Sequence, residues 1–252
     1  MKIKALIFDV DGTLADTEEA HRSAFNRAFE HHGLAWHWSP NEYARLLKVT
    51  GGKERIGAYL NSLTLDAAER QALNTRISAI HETKTENFAQ LIRDGQVPLR
   101  EGVTRLIDEA ERADVTLAIA STTTLANIQT LLSVNLGRRA RDCFSVIGAG
   151  DQVRHKKPAP DIFEYVLKEL HESAADCVAI EDSANGLAAA KGAGLFTVVT
   201  PSQWTSGEDF RNADLVLTSL GSSPHPLRDI DNHFSLAREW GRRVGSTATG
   251  EK

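Results

Sequence analysis

The sequence predicts an α/β fold, a doubly wound, Rossmann-like parallel sheet that carries an inserted α-helical domain. Short apolar runs of strand length alternate with segments of helical periodicity over most of the chain, as expected for a parallel sheet flanked by helices. One long stretch interrupts the alternation with amphipathic helical patterns and no strand pattern. The predicted parts are a sheet domain (1–15 and 94–235), a helical domain (16–93) and a C-terminal tail, partly disordered (236–252).

Six apolar runs are predicted strands, because each has strand length and is bounded by polar or turn residues. They are Ala5–Phe8, Leu117–Ala120, Phe144–Ile147, Cys177–Ile180, Thr197–Val199 and Leu215–Leu217. Helical spacing lies between them at Val103–Ala110, Leu125–Leu132, Ile162–Leu170 and Gly186–Ala193. In the helical domain we expect a last, long helix over Asp66–Ile92, ended by Asp94-Gly95.

The composition is that of a globular protein with an acidic surface. Hydrophobic residues make up 41% of 252 residues, and the formal net charge is −5, which disfavours binding to nucleic acid and to anionic membranes. An anionic substrate therefore requires a local group of cations. No apolar segment has the length of a signal peptide or a transmembrane helix, so we expect a cytoplasmic location. A monomer is also expected. Cys143 and Cys177 adjoin apolar runs, which indicates buried free thiols without a catalytic role.

Polar residues follow four of the predicted strands at their carboxyl ends, where open α/β sheets bind ligands. They are Asp9 and Asp11 after the first strand, Ser121, Thr122 and Thr123 after the second, Lys157 after the third, and Glu181 and Asp182 after the fourth. Each signal alone is weak, because Asp, Gly and Ser are common in ordinary turns and helix caps. All four in one order are much more specific.

This ordered set resembles the four motifs of the haloacid dehalogenase superfamily, and the resemblance extends from Ile3 to about Val199. It implies that Asp9 is a nucleophile that forms an aspartyl-phosphate and that Asp11 is the general acid and base. A carboxylate and a phosphate repel each other, so a divalent cation must lie between them. The resemblance implies Mg²⁺ held by Asp9, the Asp11 carbonyl and Asp182, with Glu181 as a further partner.

The same resemblance implies how the transferred phosphoryl group is bound. Lys157 would offset its charge, and Ser121, Thr122 and Thr123 would hydrogen-bond its oxygens. Outside this set of motifs, a Lys before Pro is usually solvated and a Ser after a strand is usually a helix cap.

The helical domain resembles the cap of the subfamily that includes β-phosphoglucomutase and sugar-phosphate hydrolases. Its segment Thr50–Ile56 reads Thr-Gly-Gly-Lys-Glu-Arg-Ile, in which two glycines allow close approach to an anion and two cations follow. Together with Trp36-x-Trp38 and His81-x-x-Lys84, it resembles the branch that hydrolyses xylulose 1,5-bisphosphate, an inhibitor of Rubisco. The expected partner is therefore a small sugar bisphosphate.

Two phosphates require two basic sites, and the helical domain is expected to supply the second. The predicted substrate-binding residues of this domain are Glu18, His21, Gly51, Gly52, Lys53, Glu54, Arg55, His81 and Lys84. Without the resemblance, Lys84 would be interpreted as a solvated residue on a helix face. Glu18 would be interpreted as one of the acidic residues that are common in the first turn of a helix.

Two other functions share these motifs. A phosphomutase would use the same core carboxylates and return the phosphoryl group to a rotated sugar phosphate. A sugar-phosphate sensor would keep the fold without turnover, but such a protein is expected to lose one catalytic acid, and both Asp9 and Asp11 are present.

Overall fold

The computed structural model describes residues 3–49 and 51–247. For residues 240–247 it describes only the backbone. In these ranges six strands form one parallel sheet in the order β3-β2-β1-β4-β5-β6. The strands are β1 (Ala5–Phe8), β2 (Thr116–Ala120), β3 (Val146–Gly148), β4 (Cys177–Glu181), β5 (Phe196–Val199) and β6 (Leu215–Val216). The doubly wound parallel sheet predicted from the sequence is confirmed.

The helices described are α1 (Glu18–His31), α2 (Pro40–Leu46), α3 (Gly52–Ser62), α4 (Ala67–Asn74), α5 (Ile77–Arg93), α6 (Val103–Arg112), α7 (Leu125–Leu136), α8 (Asp161–Leu170), α9 (Ala184–Gly192) and α10 (Pro226–Thr247). None of them, over the part of the chain that the structure describes, has the length and hydrophobicity needed to span a membrane.

Strand β1 is central, because it pairs with β2 on one side and β4 on the other. All four of its residues are fully buried, as expected for a strand covered by helices on both faces. The chain order reverses on the two sides of β1, and ligands bind at such a switch point in open α/β sheets. The fold therefore places the carboxyl ends of β1, β2 and β4 side by side.

The chain separates into two compact units, residues 1–16 with 98–252 and residues 17–97. The first holds the sheet and is called the core unit below; the second holds α1 to α5 and is called the cap unit. The predicted helical domain, 16–93, begins one residue earlier and ends four residues earlier than the cap unit.

The single helix predicted over Asp66–Ile92 is wrong, because this stretch forms α4 and α5. Asp66 closes a capping box with Glu69 and starts α4, which buries none of its residues. Arg76 then donates to the His32 carbonyl at 2.6 Å and ties the start of α5 to the end of α1. Tertiary anchoring of α5 thus interrupts a continuous helical pattern.

Within the predicted tail, partly disordered, from residue 236, the structure continues α10 as far as Thr247. Leu227, Ile230 and Phe234 bury one face of α10 at helical spacing. Arg238 then forms an ion pair with Asp176 at 2.7 Å. The rest of the predicted tail, 248–252, lies outside the described residues.

Candidate active site

Three strand ends bring the predicted core residues together. Asp9 follows β1, Ser121 follows β2, and Glu181 ends β4, the strand beside β1. These side chains and that of Asp182 are buried, although polar residues at strand ends are usually solvated. Burial of several carboxylates costs free energy unless cations or hydrogen bonds compensate for it, which indicates a functional site.

Lys157 provides that compensation from the loop before α8. Its Nζ lies 2.6 Å from Asp9 Oδ1 and 2.5 Å from Glu181 Oε1, and it donates to the Ala120 carbonyl at 2.9 Å. The side chain is 6% exposed. The sequence placed Lys157 and Asp9 in one site from their positions at strand ends, and the structure brings them into direct contact.

The electrostatics of this cluster are set by burial. Burial raises the pKa of Asp9, and Lys157 opposes that rise only in part. Burial, followed by the charge of Asp9, raises the pKa of Glu181 to about 7. Burial disfavours the charged form of Lys157, but the carboxylates of Asp9 and Glu181 outweigh it and raise the pKa of that ammonium. The lysine is therefore positively charged at neutral pH.

Negative charge nevertheless exceeds positive charge at this site. Asp182 is 4% exposed, and burial followed by Asp9 and Glu181 raises its pKa well above the ordinary range. Oxygens of Asp9, Glu181 and Asp182 lie within 4.8 Å of one another. A buried set of hard oxygen ligands, whose charge a single lysine compensates only in part, fits a divalent cation such as Mg²⁺.

Asp11 lies in the loop after β1 and is half-buried. Its backbone forms an isolated bridge with Ala15, and the Gly12 amide donates to the Ala15 carbonyl at 2.8 Å. The Asp11 carboxylate is close enough to contribute to the raised pKa of Asp9. The two aspartates of the first motif therefore share one electrostatic environment.

Two glycines leave room for the carboxylates, and their role is steric. A methyl group on Gly12 would lie 2.1 Å from Asp182 Oδ2, and one on Gly186 would lie 1.9 Å from Glu181 Oε2. Gly12 also has a φ of +86°, which favours glycine. Sequence reasoning did not assign Gly186 to the site; its only signal was its place in the first turn of the helix after Glu181-Asp182.

The loop after β2 is held by its backbone. The Ser121 amide donates to the Gly148 carbonyl at 3.0 Å, and Ser121 Oγ accepts from the Thr123 amide at 3.2 Å. Ser121 is fully buried, whereas Thr122 and Thr123 are half-buried. Thr124 then caps α7 through the Asn127 amide. The Ser121 and Thr123 amides are thus used to hold the loop in place.

The predicted residues of the cap unit form two groups. In the first, Lys84 Nζ lies 2.8 Å from His21 Nδ1 and is 4.9 Å and 5.1 Å from the centroids of the Phe25 and Phe88 rings. His21 stacks on Phe88 at 3.8 Å. Lys84 is 8% exposed, so the solvated helix face that is usual for a lysine does not describe it.

In the second group, Arg55 is fixed by the cap itself. Its guanidinium donates to the Leu46 carbonyl at 3.2 Å, the Val49 carbonyl at 3.4 Å and the Tyr43 hydroxyl at 3.0 Å. Tyr43 in turn donates to Glu18 at 2.6 Å. Tyr43 was missed by sequence reasoning, since a single Tyr in an amphipathic helix carries no signal beyond core packing.

The glycine-rich segment lies at the start of α3, and its Thr50 is outside the described residues. Gly51 has a φ of +96°, and a methyl group on Gly52 would lie 2.4 Å from His81 Nε2. Lys53 and Glu54 are exposed. Burial lowers the pKa of His81, and the charges of Lys84 and Lys53 lower it further. The predicted residues Gly52, Lys53, His81 and Lys84 are therefore neighbours within the cap unit.

The chain matches the haloacid dehalogenase-like hydrolase family over residues 3–194. It is 48% identical over 225 residues to the plasmid-encoded CbbY of Cupriavidus necator, which covers 89% of each chain. The crystal structure of CbbY from Rhodobacter sphaeroides with phosphate has a TM-score of 0.77 at 48% identity, over 87% of this chain and 95% of that one.

A mutant of the same R. sphaeroides protein was solved with xylulose-(1,5)bisphosphate and has a TM-score of 0.77 at 47% identity, with the same coverage. A β-phosphoglucomutase from Clostridium difficile has a TM-score of 0.70 at 23% identity, over 93% of this chain and 98% of that one. At that identity the likeness shows the fold alone.

Proposed function

Because this chain belongs to the haloacid dehalogenase-like hydrolases and is a CbbY-like sugar-phosphate phosphatase, we propose that it hydrolyses xylulose 1,5-bisphosphate to xylulose 5-phosphate with Mg²⁺. The observation that carries the proposal is the buried cluster in which Asp9 and Glu181 share the Lys157 ammonium beside Asp182. The R. sphaeroides relative, solved with that bisphosphate, supports the choice of substrate.

In the first step Asp9 attacks phosphorus, and the bond from phosphorus to the sugar oxygen breaks. Asp11 donates its proton to the departing alkoxide, which is a poor leaving group without one. Lys157 lies on the Asp9 carboxylate at 2.6 Å, where it can also reduce the charge of the incoming phosphoryl oxygens.

In the second step Asp11, now ionised, removes a proton from water as the water oxygen attacks the phosphorus of the aspartyl-phosphate. The bond from phosphorus to Asp9 breaks and inorganic phosphate leaves, so the carboxylate and the protonated acid are both restored. The Ser121 hydroxyl and the Thr122 amide donate to the phosphoryl oxygens in both steps, since the Ser121 and Thr123 amides already have partners within the core unit.

Asp9, Asp182 and the Asp11 carbonyl would hold Mg²⁺, with Glu181 beside them. The ion would lower the repulsion between the Asp9 carboxylate and the phosphate by neutralising both. The buried oxygens within 4.8 Å fit this use, because a single lysine cannot compensate three carboxylates.

For the phosphate that is not transferred, we assign Lys53 and Lys84 of the cap unit. Lys53 is exposed at the N-terminal end of α3, where backbone amides also favour an anion. The positive charges of Lys53 and Lys84 both lower the pKa of His81, which indicates that the two lysines lie near the same imidazole. No observation favours the phosphomutase, since the likeness to β-phosphoglucomutase is one of fold.

The test is the release of phosphate from xylulose 1,5-bisphosphate by the full chain, with Mg²⁺ or with EDTA. We expect one phosphate and one xylulose 5-phosphate for each substrate consumed, and no turnover in EDTA. A mutase would instead yield an isomeric sugar phosphate without net release of phosphate. Full activity in EDTA would refute the metal assignment, and binding without turnover of any sugar phosphate would favour the sensor.

A further inference from the structure

The side chain of Arg100 connects two loops that border the acidic cluster. Its guanidinium donates to the Gly12 carbonyl in the loop after β1. It also donates to the Thr200 carbonyl at 2.8 Å and the Pro201 carbonyl at 2.9 Å, directly after β5. One planar, always charged group thus fixes the backbone of both loops, which a lysine could not do in this geometry.

The Asp182 carboxylate lies between the two loops that Arg100 connects. On one side Asp182 Oδ2 packs against Gly12, where a methyl group would lie 2.1 Å away. On the other side the same oxygen accepts from the Thr205 hydroxyl at 3.2 Å. Ser202, which is buried, donates its amide to Thr205 Oγ1 at 2.9 Å and holds that hydroxyl in place.

The loop after β5 is also joined to the strand that carries the site. The Thr200 amide donates to the Glu181 carbonyl at 2.8 Å. Arg100 therefore holds the start of this loop, at Thr200 and Pro201. Further along the loop, the Thr205 hydroxyl donates to the Asp182 carboxylate. The contacts form one continuous path from the guanidinium to the carboxylate.

We infer that Arg100 is a positioning residue, which sets the Asp182 carboxylate for a divalent cation by clamping Gly12 to the loop from Thr200 to Thr205. This inference rests on the proposed use of Mg²⁺. Partners that orient a metal ligand typically change metal affinity by about 10-fold to 100-fold when they are removed. Arg100 is assigned this role because its guanidinium donates to the backbone carbonyls of Gly12, Thr200 and Pro201, and acts on Asp182 through them.

The experiment is calorimetric titration of the full chain with MgCl₂, without substrate. We expect Arg100→Met to weaken Mg²⁺ binding by about 10-fold or more. Arg100→Lys should weaken it by less, because one ammonium can replace only some of the hydrogen bonds that the guanidinium donates. Arg105→Met is the matched control, since Arg105 also donates to a backbone carbonyl, that of Ser223, away from the cluster. It should bind Mg²⁺ as the wild type does.

Kinetics separate positioning from general damage. At saturating Mg²⁺, Arg100→Met should recover most of its kcat with an unchanged KM for the sugar bisphosphate, whereas a misfolded site would not recover. If Arg100→Met does not fold, as judged by circular dichroism, Thr205→Val decides, because it removes only the hydroxyl that Asp182 accepts from.

Wild-type affinity for Mg²⁺ in a folded Arg100→Met, or in Thr205→Val where the arginine variant is unfolded, would overturn the inference and leave the proposed function intact. Equal losses in Arg105→Met would also overturn it. Absence of Mg²⁺ binding by the wild type would overturn the metal assignment on which the inference rests.

Discussion

The acidic cluster of the core unit and the basic group of the cap unit carry charge of opposite sign. In the core, one lysine is shared by carboxylates that outnumber it, at the ends of adjacent parallel strands. In the cap, Lys84 lies among aromatic rings and beside His21, on helices whose positions depend on side-chain packing. Under the proposed function, the first arrangement would hold a metal ion and the second an anion.

The proposed function assigns the chemistry to the core unit and the choice of substrate to the cap unit. Strand ends are rigid and fix catalytic groups, which a phosphoryl transfer requires irrespective of the sugar. Helices of a cap unit can vary their polar residues without disturbing the core. Substitutions in the two regions should therefore differ in kind as well as in size.

Asp9→Asn should have the largest effect. The amide keeps the shape of the carboxylate but cannot form an aspartyl-phosphate, so we expect kcat to fall by at least about 100-fold, or about 2.7 kcal/mol. Binding of the bisphosphate, measured by calorimetry, should survive because the cap residues are unchanged. Asp142→Asn, at an exposed carboxylate of the core unit, is the control. A kcat above one hundredth of wild type would count against Asp9 as nucleophile.

The two regions should also respond to pH in opposite directions. The pKa of Glu181 is raised from 4.5 to about 7, so the native state holds that proton more tightly than the unfolded chain. The metal-free protein should therefore lose free energy of unfolding as pH rises from about 4.5 to about 7, on the order of 1 to 3 kcal/mol. In the cap, the pKa of His81 is lowered from 6.5, so its contribution is lost as pH falls below 6.5.

Urea unfolding in EDTA at several pH values checks both signs. Glu181→Gln should reduce the loss at rising pH without abolishing it, because the pKa values of Asp9 and Asp182 are also raised. His81→Gln should remove the loss that His81 causes at falling pH. Mg²⁺ should abolish the first effect by holding the carboxylates ionised. A Glu181→Gln profile parallel to that of the wild type would contradict the proposed electrostatics.

Lys53→Ala should act on substrate choice alone. Because Lys53 is exposed and belongs to the cap, we expect kcat/KM for the bisphosphate to fall by about 10-fold, while that for a pentose monophosphate changes little. Lys48→Ala, another lysine of the cap unit and outside the predicted site, is the control. Equal losses on both substrates would refute the assignment of Lys53 to the second phosphate.

Arg55→Ala is a less selective test than Lys53→Ala. The guanidinium holds the Leu46 and Val49 carbonyls and the Tyr43 hydroxyl, so its removal should destabilise the cap unit and lower the rates on both substrates. The sequence suggests that Arg55 binds the second phosphate, which would make the loss of kcat/KM selective for the bisphosphate. Because Arg55 also stabilises the cap unit, we expect that selectivity only in part.

The smallest expected effect belongs to Tyr43→Phe, which removes the hydroxyl between Glu18 and Arg55. The hydroxyl makes two hydrogen bonds, each contributing about 1 kcal/mol, and their loss should appear in the free energy of unfolding. Tyr165→Phe, whose hydroxyl accepts from the exposed Gln152, should cost less. If the two variants are equally stable, the Glu18–Tyr43–Arg55 contacts do not hold the cap together.

The core was predictable because strands and their ends obey short-range rules. The predicted strand Ala5–Phe8 has the observed bounds, and position after a strand sufficed to bring Asp9 together with Glu181. Long-range contacts left no such signal. Arg100 lies 88 residues from Gly12, to which its side chain donates a hydrogen bond. Thr205 follows a different strand from the Asp182 to which it donates.

The cap was less predictable because helical periodicity gives a face but not its partners. Lys84 has the pattern of a solvated residue, yet α1 and α5 pack so that the residue is buried and its ammonium lies over the rings of Phe25 and Phe88. The break between α4 and α5 likewise depends on Arg76 reaching the end of α1. Such contacts require the packing of helices to be known.

The central claim is that a sugar bisphosphate gives up its phosphoryl group to Asp9. The most direct measurement is rapid acid quenching of the full chain with Mg²⁺ and xylulose 1,5-bisphosphate labelled with ³²P at the transferred phosphate, followed by peptide mass spectrometry. We predict label on Asp9 in the wild type and none in Asp9→Asn, whose amide cannot form an aspartyl-phosphate. Turnover at the wild-type rate with no label on Asp9, or with label on another residue, would contradict the account.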